Sequence, residues 1–166
     1  MGAGASHPQQ SAATNSAAAA NAQWAQRVVG FSSQHDGFGS GAQQACGRPK
    51  VFPAYGDKQG AWAPGANSGS SWIELEFARA VYMCGIEIYE TFNPGAVVRI
   101  LVLSPQGVWE SAWRGESQQM ALPARSRVFA PTIKPPPYAV RPCPAPSPCL
   151  LACDSCRVGQ CHATFC

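Results

Sequence analysis

The sequence predicts an all-β protein, a sandwich or jelly roll, on three observations. WIELEF (72–77) alternates apolar and acidic residues, so Ile73, Leu75 and Phe77 share one face of a strand and Glu74 and Glu76 the other. GIEIYE (85–90) repeats the alternation, with Ile86 and Ile88 inward and Glu87 outward. Helical periodicity is nearly absent, which argues against a parallel sheet flanked by helices.

The elements follow in chain order. Residues 1–23 form an Ala/Ser/Gln-rich leader without hydrophobic periodicity, expected to be disordered. Gly2 and Ser6 match an N-myristoylation pattern, which makes Gly2 a lipidation candidate against the plainer reading of a disordered leader. WAQRVVGF (24–31) is the first strand. A long Gly/Pro/Ser/Asn/Gln-rich segment follows to residue 71, with one helical turn at 42–46 closed by Gly47 and Pro49. Its aromatics, Phe52, Tyr55 and Trp62, favour a loop that packs on itself. Beyond 85–90, TFNPG (91–95) supplies turn chemistry, because Pro fixes φ and Gly tolerates positive φ. AVVRILVL (96–103) is apolar on both faces apart from Arg99, as a central strand is. VWESAW (108–113) reads as another strand, and 126–129 and 138–141 as short ones.

After Arg141 the composition changes. Residues 142–166 hold four prolines and six cysteines, and alternating prolines remove strand donors at Pro142, Pro144, Pro146 and Pro148. This tail is expected to be foreign to the domain, from read-through or a shifted reading frame, with the domain confined to 24–141.

Composition narrows the functional classes. Charged residues are 13% of the chain and the net charge is +3, without a basic stripe interleaved with aromatics, so nucleic acid is not the expected partner. No apolar run approaches the roughly 20 residues of a membrane span. Cys46 and Cys84 stand isolated in the body, which suits a reducing compartment and an intracellular location, cytoplasmic or mitochondrial.

Catalytic signals are weak. His35 adjoins Asp36 but lacks a nucleophile motif, and no helix of useful length follows Gly37-Phe38-Gly39. Glu74, Glu76 and Glu87 fall on the outward phase of their strands and read as a solvated face. Calcium needs six to eight oxygens, and no Asp/Asn cluster of that density occurs, so no cofactor is expected. In the tail, Cys153-x-x-Cys156 with Cys161 imitates a zinc knuckle, although the adjacent Cys161 and His162 cannot easily both face one metal. Pro135-Pro136-Pro137-Tyr138 spells a polyproline ligand of the kind WW domains take.

Four blocks carry a resemblance. VVGFSSQ (28–34), VFPAYGD (51–57), AVYMCGIEIYETFNPGAVVRI (80–100) and SRVFAPTIKPPPYAVR (126–141) occur in this order. Together they resemble the discoidin-like N-terminal domain of F-box and leucine-rich repeat protein 4 and its relatives. The resemblance implies a galactose-binding-like β-sandwich over 24–141 that recognises rather than catalyses, on the substrate-adaptor side of F-box ubiquitin ligases. The chain carries neither an F-box helical segment nor a leucine-rich array, so it is not expected to recruit a ligase core itself. Ala80 and Met83 stand where the family tends to have prolines. The strand that should follow the Tyr-Ala-Val-Arg block is replaced by the Pro/Cys tail, so the sandwich is expected to be truncated before its closing strand and marginal in stability. From the loop-borne sites of this fold class, Tyr55, Asp57, Trp62 and Glu90 form the candidate binding patch, with Trp72 a further loop-flanking aromatic. A protein ligand is the first expectation and a glycan the alternative.

Overall fold

The computed structural model describes residues 22–35, 39–65, 70–80, 82–119 and 121–140, together with the backbone of two strands within 149–165. The strands are β1 (Gln23–Phe31), β2 (Ser71–Phe77), β3 (Met83–Phe92), β4 (Val97–Leu103), β5 (Trp109–Arg114), β6 (Arg127–Phe129), β7 (Cys149–Cys153) and β8 (Arg157–Phe165). A single 3-10 turn, Ala42–Ala45, is the helical element of the described residues. The leader to residue 21, with Gly2, lies outside them.

All pairings are antiparallel. One sheet runs β5-β4-β7-β2-β1 and the other β1-β8-β3-β6. β1 belongs to both: Gln23 and Trp24 oppose Ala163 and His162 of β8, whereas Ala25 through Phe31 run against Phe77 through Ile73 of β2. Bulges between Ala25 and Arg27 and between Val28 and Gly30 supply the bend that such a change of partner needs.

The period-2 pattern explains the core. Ile73, Leu75 and Phe77 from β2, Ile100 and Val102 from β4, and Met83, Ile86 and Ile88 from β3 are buried in one cluster between the sheets. Each such side chain contributes about 1.5–3 kcal/mol when fully removed from water. Ala42 and Ala45 of the 3-10 turn close the cluster on the β1 side. Strand ends differ from expectation by a residue or two, except that 138–141 contracts to an isolated bridge at Val140. In the Pro-Pro-Pro-Tyr stretch Pro136 is buried and Tyr138 half-buried. Lys134 N–H donates to the Ala112 carbonyl (2.8 Å), so this stretch runs beside β5 rather than standing free as a polyproline ligand.

Two expectations are corrected. Glu76 is not solvated: it is 7% exposed and accepts from Arg27 Nε (2.7 Å) across the β1–β2 pair. The larger correction concerns the tail. β7 pairs with both β2 and β4, and β8 with both β1 and β3, so the sheets are closed by residues expected to contribute no strand. The donor-poor prolines end at Pro148. CLLAC then begins at once, and its continuous apolar run suits a strand with neighbours on both sides.

Because β7 and β8 are interior strands, a chain ending at Pro148 is expected to lose cooperative unfolding in a thermal melt. A melt superimposable on that of the whole chain would show that the sheets close without them.

Candidate functional site

Three loops meet at the end of the sandwich where β3 finishes. The organising group is the Glu90 carboxylate, which is 0% exposed. It accepts the Gly95 N–H (2.9 Å) and forms an ion pair with the Arg127 guanidinium at the start of β6. The Arg127 guanidinium also sits 4.8 Å from the Phe129 ring centroid, a cation–π contact. Gly95 has φ +93°, and a Cβ there would come within 2.8 Å of the Gln118 carbonyl carbon, so only glycine fits. The Gly95 carbonyl in turn accepts the Gln118 N–H (2.8 Å), which brings the 115–119 segment onto the turn.

The VFPAYGD loop docks beside this assembly. Gly56 N–H donates to the Thr91 carbonyl (3.0 Å), and the Tyr55 ring packs on Phe92 with centroids 5.7 Å apart. Phe52, before a cis peptide bond to Pro53, meets Tyr89 edge-on at 5.1 Å. Ser126 Oγ donates to the Pro53 carbonyl and ties the loop to the approach to β6. Tyr89 donates to Glu87 Oε2 (3.0 Å). Burial pushes its hydroxyl up to about 12, and the hydrogen bond and charge of Glu87 act in the same direction.

The four residues of the expected patch therefore separate. Tyr55 is half-buried with one side against Phe92, and Asp57 is exposed two residues on. Glu90 is wholly buried and ties the 93–95 turn to Arg127 of β6. Trp62 belongs elsewhere: it is 0% exposed and its indole N–H donates to the Ser33 carbonyl (3.1 Å), making it the core of the long loop. Its neighbours Ala61 and Ala63, both buried, were the signal that this part of the loop faces inward. Arg127 had no mark in the sequence, because its pairing to Glu90 spans 37 residues.

The half-buried Cys46 thiol is pushed up by burial, with Lys50 opposing in part, so it is poorly suited to nucleophilic chemistry at neutral pH. No group of three or more His, Cys, Asp or Glu side chains able to hold a metal occurs among the described residues. Of the tail zinc set, Cys153 ends β7 and Cys161 lies in β8, in different sheets, and Cys156 lies outside the described residues. No described helix is long and apolar enough to cross a membrane.

Comparison with known proteins now places the fold. The carbohydrate-binding module of family 32 from Streptococcus pneumoniae EndoD superposes with a TM-score of 0.58 at 7% identity, over 86% of this chain and 98% of that one. The chain is a galactose-binding-like β-sandwich. A chain from the structure of reduced XRCC1 bound to the DNA pol beta catalytic domain is similar at a TM-score of 0.55 and 17% identity, over 85% of this chain and 97% of that one. In sequence, the chain is 30% identical over 145 residues to F-box/LRR-repeat protein 4 of Bos taurus. That match covers 68% of this chain, which spans only 23% of the relative. No protein-family model matches the chain.

Stability should separate the four residues. Trp62→Ala is expected to cost about 3–5 kcal/mol, and Arg127→Ala, which strands the Glu90 carboxylate in the interior, about 3 kcal/mol. Asp57→Ala should stay within about 0.5 kcal/mol. Urea unfolding of the three variants checks the order, and a neutral Trp62→Ala would contradict its place in the core.

Tyr89 gives a pH test. A hydroxyl titrating at about 12 in the fold and at 10 when unfolded keeps its proton longer in the folded state. Stability therefore falls as pH rises from 10 towards about 12. Urea midpoints across that window should decline less in Tyr89→Phe, and an identical decline would show that Tyr89 does not contribute.

Proposed function

We propose that the chain is a non-catalytic recognition module that takes a protein ligand at the loop end of the sandwich. The observation that supports this most is the VFPAYGD loop. It presents the Tyr55 ring and the Asp57 carboxylate from a backbone held to β3 by the Gly56–Thr91 hydrogen bond and the Tyr55–Phe92 contact. An aromatic ring held in place by packing loses little conformational freedom on binding, which favours recognition. The likeness to F-box/LRR-repeat protein 4 supports a role on the substrate-adaptor side of an F-box ubiquitin ligase, inside the cell. The similar chain from the structure of reduced XRCC1 bound to the DNA pol beta catalytic domain comes from a protein–protein complex, which supports a protein as partner. A saccharide at the same loop end is the second reading, supported by the likeness to a carbohydrate-binding module.

Two measurements test the proposal. Affinity capture from cells is expected to recover a reproducible protein set with the whole chain and to lose it with Tyr55→Ala/Asp57→Ala, while a glycan array stays silent. Capture unchanged by the double substitution would overturn the loop-end site. Glycan binding that the same substitutions abolish would transfer the site to the saccharide reading.

A further inference from the structure

The outer face of the β1–β2 pair holds an arrangement that the loop end does not use. Trp72, at the start of β2, is 37% exposed although its backbone is fixed. Its N–H donates to Ser32 Oγ (3.0 Å), and its carbonyl accepts the Ser32 N–H (2.9 Å). Trp72, Glu74 and Glu76 fall on the same side of the strand, and Gly30 of β1 lies directly opposite Glu74. A Cβ at Gly30 would stand 3.2 and 3.3 Å from two atoms of the Trp72 ring and 3.4 Å from Glu74 Oε2. Indole and carboxylate therefore converge over Gly30, whose missing side chain lets the ring lie close against the β1 backbone beside Glu74.

The two acids on this face differ in what satisfies them. Glu76 is paired with Arg27. Glu74 has neither an ion-pair nor a hydrogen-bond partner among the described residues, although it is half-buried. Burial alone pushes its carboxyl up, with no counter-charge opposing it. A partly desolvated carboxylate without a partner, next to an exposed indole, is a site that lacks a cation.

We propose that Trp72, Gly30 and Glu74 form a subsite for an arginine side chain of a protein partner. A guanidinium is planar, stacks on an indole and offers a fork of N–H donors that matches a carboxylate, so one group can satisfy both residues at once. A lysine ammonium supplies the charge without the plane. The hydroxyl groups of a sugar carry no charge, so a saccharide would leave the partly buried Glu74 carboxylate without a counter-ion. The subsite lies near the same end as the loops, because Ser71 of β2 and Val97 of β4 both oppose Cys153 of β7. A partner held by the loops can reach it. The inference rests on the reading of the chain as a protein-binding module but uses none of the residues of the loop site.

The test is a titration of the isotope-labelled whole chain with N-acetyl-arginine amide, its lysine counterpart and glucosamine, followed by the Trp72 indole N–H and Gly30 amide resonances. Arginine amide is expected to move both signals saturably. Lysine should bind more weakly, and Glu74→Gln should weaken arginine by roughly tenfold, the loss of a charge-assisted bond. Gly30→Ala should abolish the effect by displacing the ring. Asp57→Ala should leave it unchanged, which separates a failure at the loop end from a failure here. Absence of any shift, equal binding to Glu74→Gln, or preferential binding of glucosamine would overturn the assignment. Glu74→Gln conserves size and sits outside the core, so its result does not depend on the folding of a Trp72 variant.

Discussion

The loop end of this sandwich depends on one buried carboxylate. Glu90 reaches inward from β3, a position where an apolar residue would extend the run of Ile86 and Ile88. An ion there is tolerated only because its acceptors are taken up, one by the backbone of the 93–95 turn and one by Arg127. The Gly95 that donates to Glu90 also accepts from Gln118, while Arg127 opens β6 beside the anchor of the VFPAYGD loop at Ser126. Loops distant in sequence thus share one electrostatic centre, and the surface that Tyr55 and Asp57 offer is shaped by a residue that no ligand need touch.

Much of the β framework was legible because its signal is local. Period-2 alternation in WIELEF and GIEIYE placed Ile73, Leu75, Phe77, Ile86 and Ile88 in the core, where the structure has them. The site was legible only in part, because exposure is not a local property. Tyr55, Trp62 and Trp72 look alike in the sequence as aromatics flanking a glycine-rich segment. One is half-buried against Phe92, one is wholly buried and one is open to solvent. Glu74 and Glu76 show the same limit, since they share a strand face yet differ in burial and in whether a strand neighbour supplies a cation.

The tail was misread for a different reason. Its cysteines suggest metal or redox chemistry, yet cysteine also behaves as a small apolar residue, and CLLAC is then an ordinary interior strand. RVGQCHATF takes its place between β1 and β3 through long-range pairing, which no window along the chain reveals. The resemblance to F-box/LRR-repeat protein 4 reinforced the error by leading to a particular closing strand after Tyr-Ala-Val-Arg, when the sheets needed only a segment able to pair on both sides.

The position of these two strands bears on how the molecule is made. β7 inserts between β2 and β4, and β8 between β1 and β3, so neither sheet can be completed during synthesis until residues 149–165 leave the ribosome. Contacts so distant in sequence are slow to form. In the interval, the flanks of β2, β4, β1 and β3 await partners and offer open backbone to any other nascent strand. The emergence of residues 149–165 therefore decides whether earlier strands find their own chain, and chaperone dependence should be concentrated before it.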